Sequence, residues 1–412
     1  MIKNRSIEKV FLLFLFTPFL AYSQCWKEIS TGRWNSVGVK NDGTLWTWGA
    51  NGFGQLGDGT TVYKTSPVQI GNANWKSILS TSAPADYVLA IKSDDSLWGW
   101  GSNSNELMGN GTNDYKTSPV EIGSAANIKS MAPGVVHILT IRKDGTLWAR
   151  GDNTFGQLGN GTITDHNYNY IQIGTGTNWK TVSVGVFHTI ALKTDGTLWA
   201  WGFNITGQLG DGTNVYKTSL AQIGTDTNWK SISAGSNYNL ALKTDGTLWA
   251  WGYNAYGKIG DGTTTDKFVP TQIGTSSDWK SVAAGVNHSL AIKDNGTLWA
   301  WGDNSTGQLG DGTYLNKLVP NQIGAQNNWK TAVGGYNHTL ALKTDGSLWS
   351  WGGNTTGQLG DGTNVEKIIP TGISCPTSLT LHVGDYGAKN EEIVLYPKGV
   401  SHELCQYKLT LY

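Results

Sequence analysis

Several things are scarce in this sequence. Of its 412 residues only 10 are proline and 3 cysteine, and 30 Lys and Arg balance 30 Asp and Glu. Zero net charge excludes a protein that holds nucleic acid through its phosphates, which takes clustered positive charge. Few prolines beside 20 tryptophans exclude collagen and ordinary disorder alike. Outside residues 10–20 no run is apolar enough to cross a membrane. No G-x-x-x-x-G-K-[ST], H-E-x-x-H, G-x-S-x-G or C-x-x-C occurs. Glycine, by contrast, is abundant at 55 residues, near twice its usual share of roughly 7%. Many glycines with many tryptophans predict an all-β chain rich in tight turns.

Residues 1–23 read as an address. Lys3, Arg5 and Lys9 precede the apolar run, and Ala21-Tyr22-Ser23 offers small residues at −3 and −1. That is the order of a secretory signal peptide, and the run is too short to span a bilayer as a helix. Lipid on Cys25 is the competing reading, with Tyr22-Ser23-Gln24 a poor match before it. Cleavage removes three positive charges and one negative (Glu8), leaving the mature chain near −2. The chain is expected to be secreted or held at the cell surface.

Repetition dominates the rest. W-x-W-G ends at Gly49, Gly101, Gly151, Gly202, Gly252, Gly302 and Gly352, and only the third copy departs, as Trp148-Ala149-Arg150-Gly151. W-K recurs at Trp26, Trp75, Trp179, Trp229, Trp279 and Trp329, with Ile128-Lys129 in the third slot. Together the two markers hold every tryptophan except Trp34. In the sixth unit, residues 279–285 and 288–293 read as strands, Asp294-Asn295-Gly296 as a hairpin turn, and 297–302 as a third strand. A fourth, short strand is expected over 320–324, with Pro320 first, where a strand tolerates proline. Four-stranded units with apolar or small groups on both faces need cover on both sides, which stacking in a ring provides. The expectation is an all-β, seven-bladed β-propeller over residues 24–375, with repeats starting near 26, 75, 128, 179, 229, 279 and 329. Residues 376–412 form a tail.

The run Asn337-His338-Thr339-Leu340-Ala341-Leu342-Lys343, then Asp345-Gly346-Ser347-Leu348-Trp349, Trp351-Gly352, Asn354 and Gly357-Gln358-Leu359-Gly360, resembles the repeat of the regulator of chromosome condensation family. The resemblance covers the seven units and implies the same propeller. It also implies a binding or regulatory role. Members act as guanine nucleotide exchange factors for Ran, or as secreted bacterial inhibitors that grip an enzyme with the propeller face. The kelch repeat shares the period but carries a Gly-Gly in every unit, found here only at Gly334-Gly335 and Gly352-Gly353 of the last unit. In the tail, residues 393–401 resemble the opening of a type IX secretion sorting domain, with Lys398-Gly399 where that family has Asn-Pro.

The units are complete and in phase, so no strand is left over to close the ring. Cys25 precedes the first unit and Cys375 follows the last. Laid on the join between units five and six they map to Asp278 and Thr275, three positions apart. A Cys25–Cys375 disulfide is expected, against two separate thiols or a pairing that uses Cys405.

Candidate chemistry competes with scaffold. His137, His188, His288 and His338 share one slot, filled elsewhere by Asn35, Tyr87 and Tyr238. Equivalent slots lie a blade apart and cannot converge on one atom, so a buried polar core role is expected. Asp58, Asp211, Asp261, Asp311 and Asp361, with Asn110 and Asn160, read as loop caps, since their loops lack calcium-site spacing. No cofactor, metal or catalytic residue is expected, although carboxylates of different blades meeting across the channel would suit a polysaccharide-active enzyme. The segments after W-x-W-G vary and carry Phe53, Tyr63, Tyr115, Phe155, Tyr168, Tyr170, Phe203, Tyr216, Tyr253, Tyr256 and Tyr314. On one rim these would anchor a protein or glycan. Units two and three are the most irregular, with Glu106-Leu107-Met108 replacing G-Q-L and His166-Asn167-Tyr168-Asn169-Tyr170 replacing the usual K-x-x-P stretch. The expectation is a monomeric, non-catalytic binder without nucleic acid or membrane span.

Overall fold

A computed structural model of the chain describes residues 25–79, 85–163, 167–376, 379–382 and 394–397. The proposed signal peptide lies outside the described residues, as do His166, Cys405 and most of the tail.

Seven four-stranded antiparallel sheets follow one another along the chain, each ordered consecutively from its first strand to its fourth. Blade 1 comprises Trp26–Thr31, Asn35–Lys40, Leu45–Gly49 and Lys64–Gln69. The other six begin at Trp75, Ile128, Trp179, Trp229, Trp279 and Trp329. First strands line a central channel of about 200 Å³, bordered by Ser30, Thr31, Met131, Ala132, Val182, Ser183, Ser233, Ala283, Ala284, Val333 and Gly334. Small side chains there let seven strands approach the axis. No carboxylate is among these lining residues.

The fourth strand starts three residues earlier than its sequence suggests. In blade 6 it is Lys317–Gln322, with Pro320 inside it rather than at its head. A register shift between Ala300 and Gly302 bulges the pair there, and this is the free edge of the blade, so the missing N–H breaks no ladder bond.

Blades are fastened by one repeated joint. The Gln157 carbonyl accepts from Trp201 Nε1 at 2.9 Å and Thr189 Oγ1 at 3.0 Å, both in the next blade. Gln208 serves Trp251 and Asn239, and Gln308 serves Trp351 and Thr339. The closing joint is built alike, with Trp48 Nε1 and Ser36 Oγ donating to the Gln358 carbonyl at 3.0 and 2.8 Å. Beside it the Cys25–Cys375 disulfide spans 350 residues with Cα atoms 6.0 Å apart. Each second-strand Lys lies over tryptophan, as with Lys343 Nζ 3.6 Å from the Trp349 ring centre.

Candidate binding face

First and third strands run the same way, so the turns after them emerge on one side of the ring. The chain is bonded accordingly: Ala50 N donates to Trp34 O, and Phe203 N to Phe187 O. Loops following the third strand are held rigid from within. Asn354, fully buried, takes Leu359 N–H on its Oδ1 and sends Nδ2 to Asp361 Oδ1 and to the Thr363 and Val365 carbonyls, all within 3.1 Å. The aspartate slot is the expected cap. Asp361 Oδ1 accepts from Thr363 N and Oγ1, and its Oδ2 lies 3.2 Å from Lys367 Nζ. These hydrogen bonds lower the Asp361 pKa against a desolvation that pushes it up.

The histidines are scaffold too. His338 Nε2 lies 3.1 Å from Ser36 Oγ, whose proton is already given to Gln358 O. Nε2 is therefore the protonated nitrogen. The same logic fixes His137 on Thr189 and His288 on Thr339, while His188 donates to Asn239 Oδ1. Burial holds all four neutral, with pKa values pushed down to about 3 or 4. Among the described residues no group of three His, Cys, Asp or Glu is arranged to hold a metal ion.

Of the eleven aromatic positions, the structure gathers three into one cluster. Phe155, Phe203 and Tyr216 pack with ring centres 5.0 to 5.4 Å apart, and Phe187 joins at 5.2 Å from Phe155. Phe53, Tyr63, Tyr115, Tyr168, Tyr253, Tyr256 and Tyr314 are exposed and spread over blades 1, 2, 3, 5 and 6, with Tyr314 donating to Glu366. Tyr170 stands apart, its hydroxyl buried. Tyr253 covers Lys258, whose ammonium is buried, bonded to Asn287 Oδ1 at 3.1 Å, and lowered by burial to about 7.

Sequence reasoning missed Phe187 and a second cluster from the shorter loops. There Arg33 lies 4.3 Å over Trp34, which packs on Tyr336 at 5.7 Å, and Arg33 reaches Asp86 at 3.9 Å. Burial raises the Asp86 carboxyl, with Arg33 opposing. The signal was available: Trp34 is the tryptophan that neither marker explains.

A sequence model of the RCC1-like domain matches residues 16–280, and RCC1 repeat models match 279–308, 330–358, 295–342 and 345–383. The ultraviolet-B receptor UVR8 of Arabidopsis thaliana is 30% identical over 196 residues, 47% of this chain and 44% of the receptor. Human probable E3 ubiquitin-protein ligase HERC3 is 27% identical over 190 residues, 45% of this chain and 18% of the ligase. The chain thus spans less than half the length of these curated relatives. Among solved structures, human WBSCR16 superposes with a TM-score of 0.71 at 21% identity, covering 82% of this chain and 95% of its own. Prp20p of Saccharomyces cerevisiae, a structure reported with its binding to Gsp1p and histones, gives 0.71 at 21%, covering 85% and 88%. Such identities carry the fold alone. With an RCC1-like domain model matching well over half of its length and all seven blades in place, the chain belongs to the RCC1-like domain family.

Proposed function

We propose that this protein is an exported, non-catalytic binding module that holds a macromolecular partner on the loop face around Phe155, Phe187, Phe203 and Tyr216. The observation that carries the reading is that cluster: a half-buried aromatic patch on loops rigidified by buried asparagines, with exposed tyrosines on other blades. Aromatic side chains of this kind concentrate binding energy, because they offer large contact area with few torsions to freeze. A protein partner fits better than a glycan, since the exposed aromatic side chains are spread over several blades. The channel offers small hydroxyl and methyl groups and no carboxylate pair among its lining residues, so nothing in it favours polysaccharide hydrolysis. A secretory address in residues 1–23 would deliver the module outside the cell.

The test has two arms. Fusion of residues 1–23 to a reporter measures export directly. Affinity capture with the full chain, repeated with Phe203→Ala and Tyr216→Ala, measures binding: one saturable partner lost in the variants supports the face. A partner held equally by both variants refutes it.

A further inference from the structure

The two most irregular blades meet at one point. Arg150 replaces the inner tryptophan that the other six blades place there, and Tyr170 fills the outer-strand position held by Pro67, Pro119, Leu220, Pro270, Pro320 and Pro370. The structure brings the two replacements into contact, with Arg150 Cζ 4.4 Å from the centre of the Tyr170 ring. The irregular loop of blade 2 closes over them. A Cβ on Gly109 would collide with Arg150 Nη1, so glycine there is what lets the loop lie on the guanidinium.

Arg150 is only 5% exposed. Its Nε and Nη2 are buried without an acceptor, and so is the Tyr170 hydroxyl. No carboxylate pairs with Arg150 among the described residues. In the other blades the slot is neutral: the indole N–H of Trp201, Trp251 or Trp351 finds a carbonyl of the preceding blade. Arginine keeps its charge at any ordinary pH, so blade 3 buries a full cation with unused donors. Nε and Nη2 together form the side edge of the guanidinium, the fork that takes two oxygens of one oxyanion.

We propose that Arg150 and Tyr170 form a buried site between blades 2 and 3 for a small oxyanion of the phosphate, sulfate or carboxylate type. The site is independent of the loop face. Its burial restricts it to a small ligand, because a macromolecule cannot reach a side chain so enclosed.

The full chain is titrated with sodium phosphate, sodium sulfate and sodium acetate, against sodium chloride at matched ionic strength. Thermal melting and calorimetry are read on the wild type, Arg150→Trp and Tyr170→Phe. Arg150→Trp restores the residue of the other six blades. One-to-one binding is expected for the wild type, with Tm raised by roughly 4 °C at a hundredfold excess over Kd. Arg150→Trp should bind nothing, and Tyr170→Phe should bind about tenfold more weakly. Phosphate and sulfate stabilise many proteins by exclusion from their surfaces. Equal responses in wild type and Arg150→Trp would therefore overturn the proposal, as would no binding by calorimetry in any of the three salts. Should Arg150→Trp fail to fold, undiminished binding by Tyr170→Phe overturns it.

Discussion

Breaking the Cys25–Cys375 bond separates two ways of holding a ring shut. The bond closes a loop of 350 residues, while the joint beside it also has the Trp48, Ser36 and Gln358 hydrogen bonds found between other blades. Little in the folded ring therefore depends on the covalent link, and its contribution lies in the unfolded chain. For a loop of that length the chain-entropy treatment gives about 5–6 kcal/mol. Unfolding some 350 residues carries an entropy of roughly 0.7 kcal/mol/K, so Cys25→Ser with Cys375→Ser should lower Tm by about 8 °C. The assay is urea and thermal unfolding of the double variant beside the oxidised protein, with near-ultraviolet circular dichroism to compare the folded states. The expected result is an unchanged native spectrum, a lower midpoint and a steeper denaturant dependence, since the unlinked chain exposes more surface. A midpoint shift worth less than about 1 kcal/mol would refute the entropic argument. An altered native spectrum would refute the claim that the joint stands without the bond.

Acid should weaken the fold well before its carboxylates titrate. His137, His188, His288 and His338 are neutral in the folded state down to about pH 3 or 4 but take protons near 6.5 when unfolded, so stability falls as pH drops through that interval. Asp86 and Glu28, raised by burial, oppose this in part. A urea midpoint that stays flat from pH 7 to 4.5 would contradict it. Asn354→Ala should cost about 3 kcal/mol by stranding Leu359 N–H and the Thr363 and Val365 carbonyls, read as the shift in urea midpoint. Lys258→Gln restores the residue of most blades. Because burial lowers the lysine from 10.5 to about 7, the unfolded state binds the extra proton between those values. The variant's stability advantage should grow as pH falls from 10 to 7, and equal midpoints at both ends would sink the account.

The tryptophan markers, the Asp-Gly hairpins and the histidine slot made the inner three strands of each blade legible, because each residue there answers to a repeated packing or bonding demand. The edge strand was less legible, since Lys317–Gln322 has solvent on its free side and no alternation to announce its start. Loop shape escaped for a different reason. Gln308 Oε1 accepts Thr306 N–H in blade 6, whereas Lys258 in the same slot of blade 5 cannot accept, and Tyr256 there adopts φ of +67°. One substitution changes a turn through an atom that no composition or spacing reveals. Aromatic positions were readable as candidates, but which of them meet depends on Phe187, supplied by a neighbouring turn.

The doubly used glutamine carbonyl has a consequence for how the molecule comes apart. In a row of repeats the last unit can fray by losing one neighbour, but a ring has no last unit, and freeing any blade means breaking two joints together. Small openings are thereby suppressed and unfolding becomes a single late event. The first places to yield are the joints on either side of blade 2, where Asn35 has no partner for its amide and Arg150 stands in place of the bonded indole. Hydrogen exchange should therefore be slow and even around the ring, with its fastest sector at that blade.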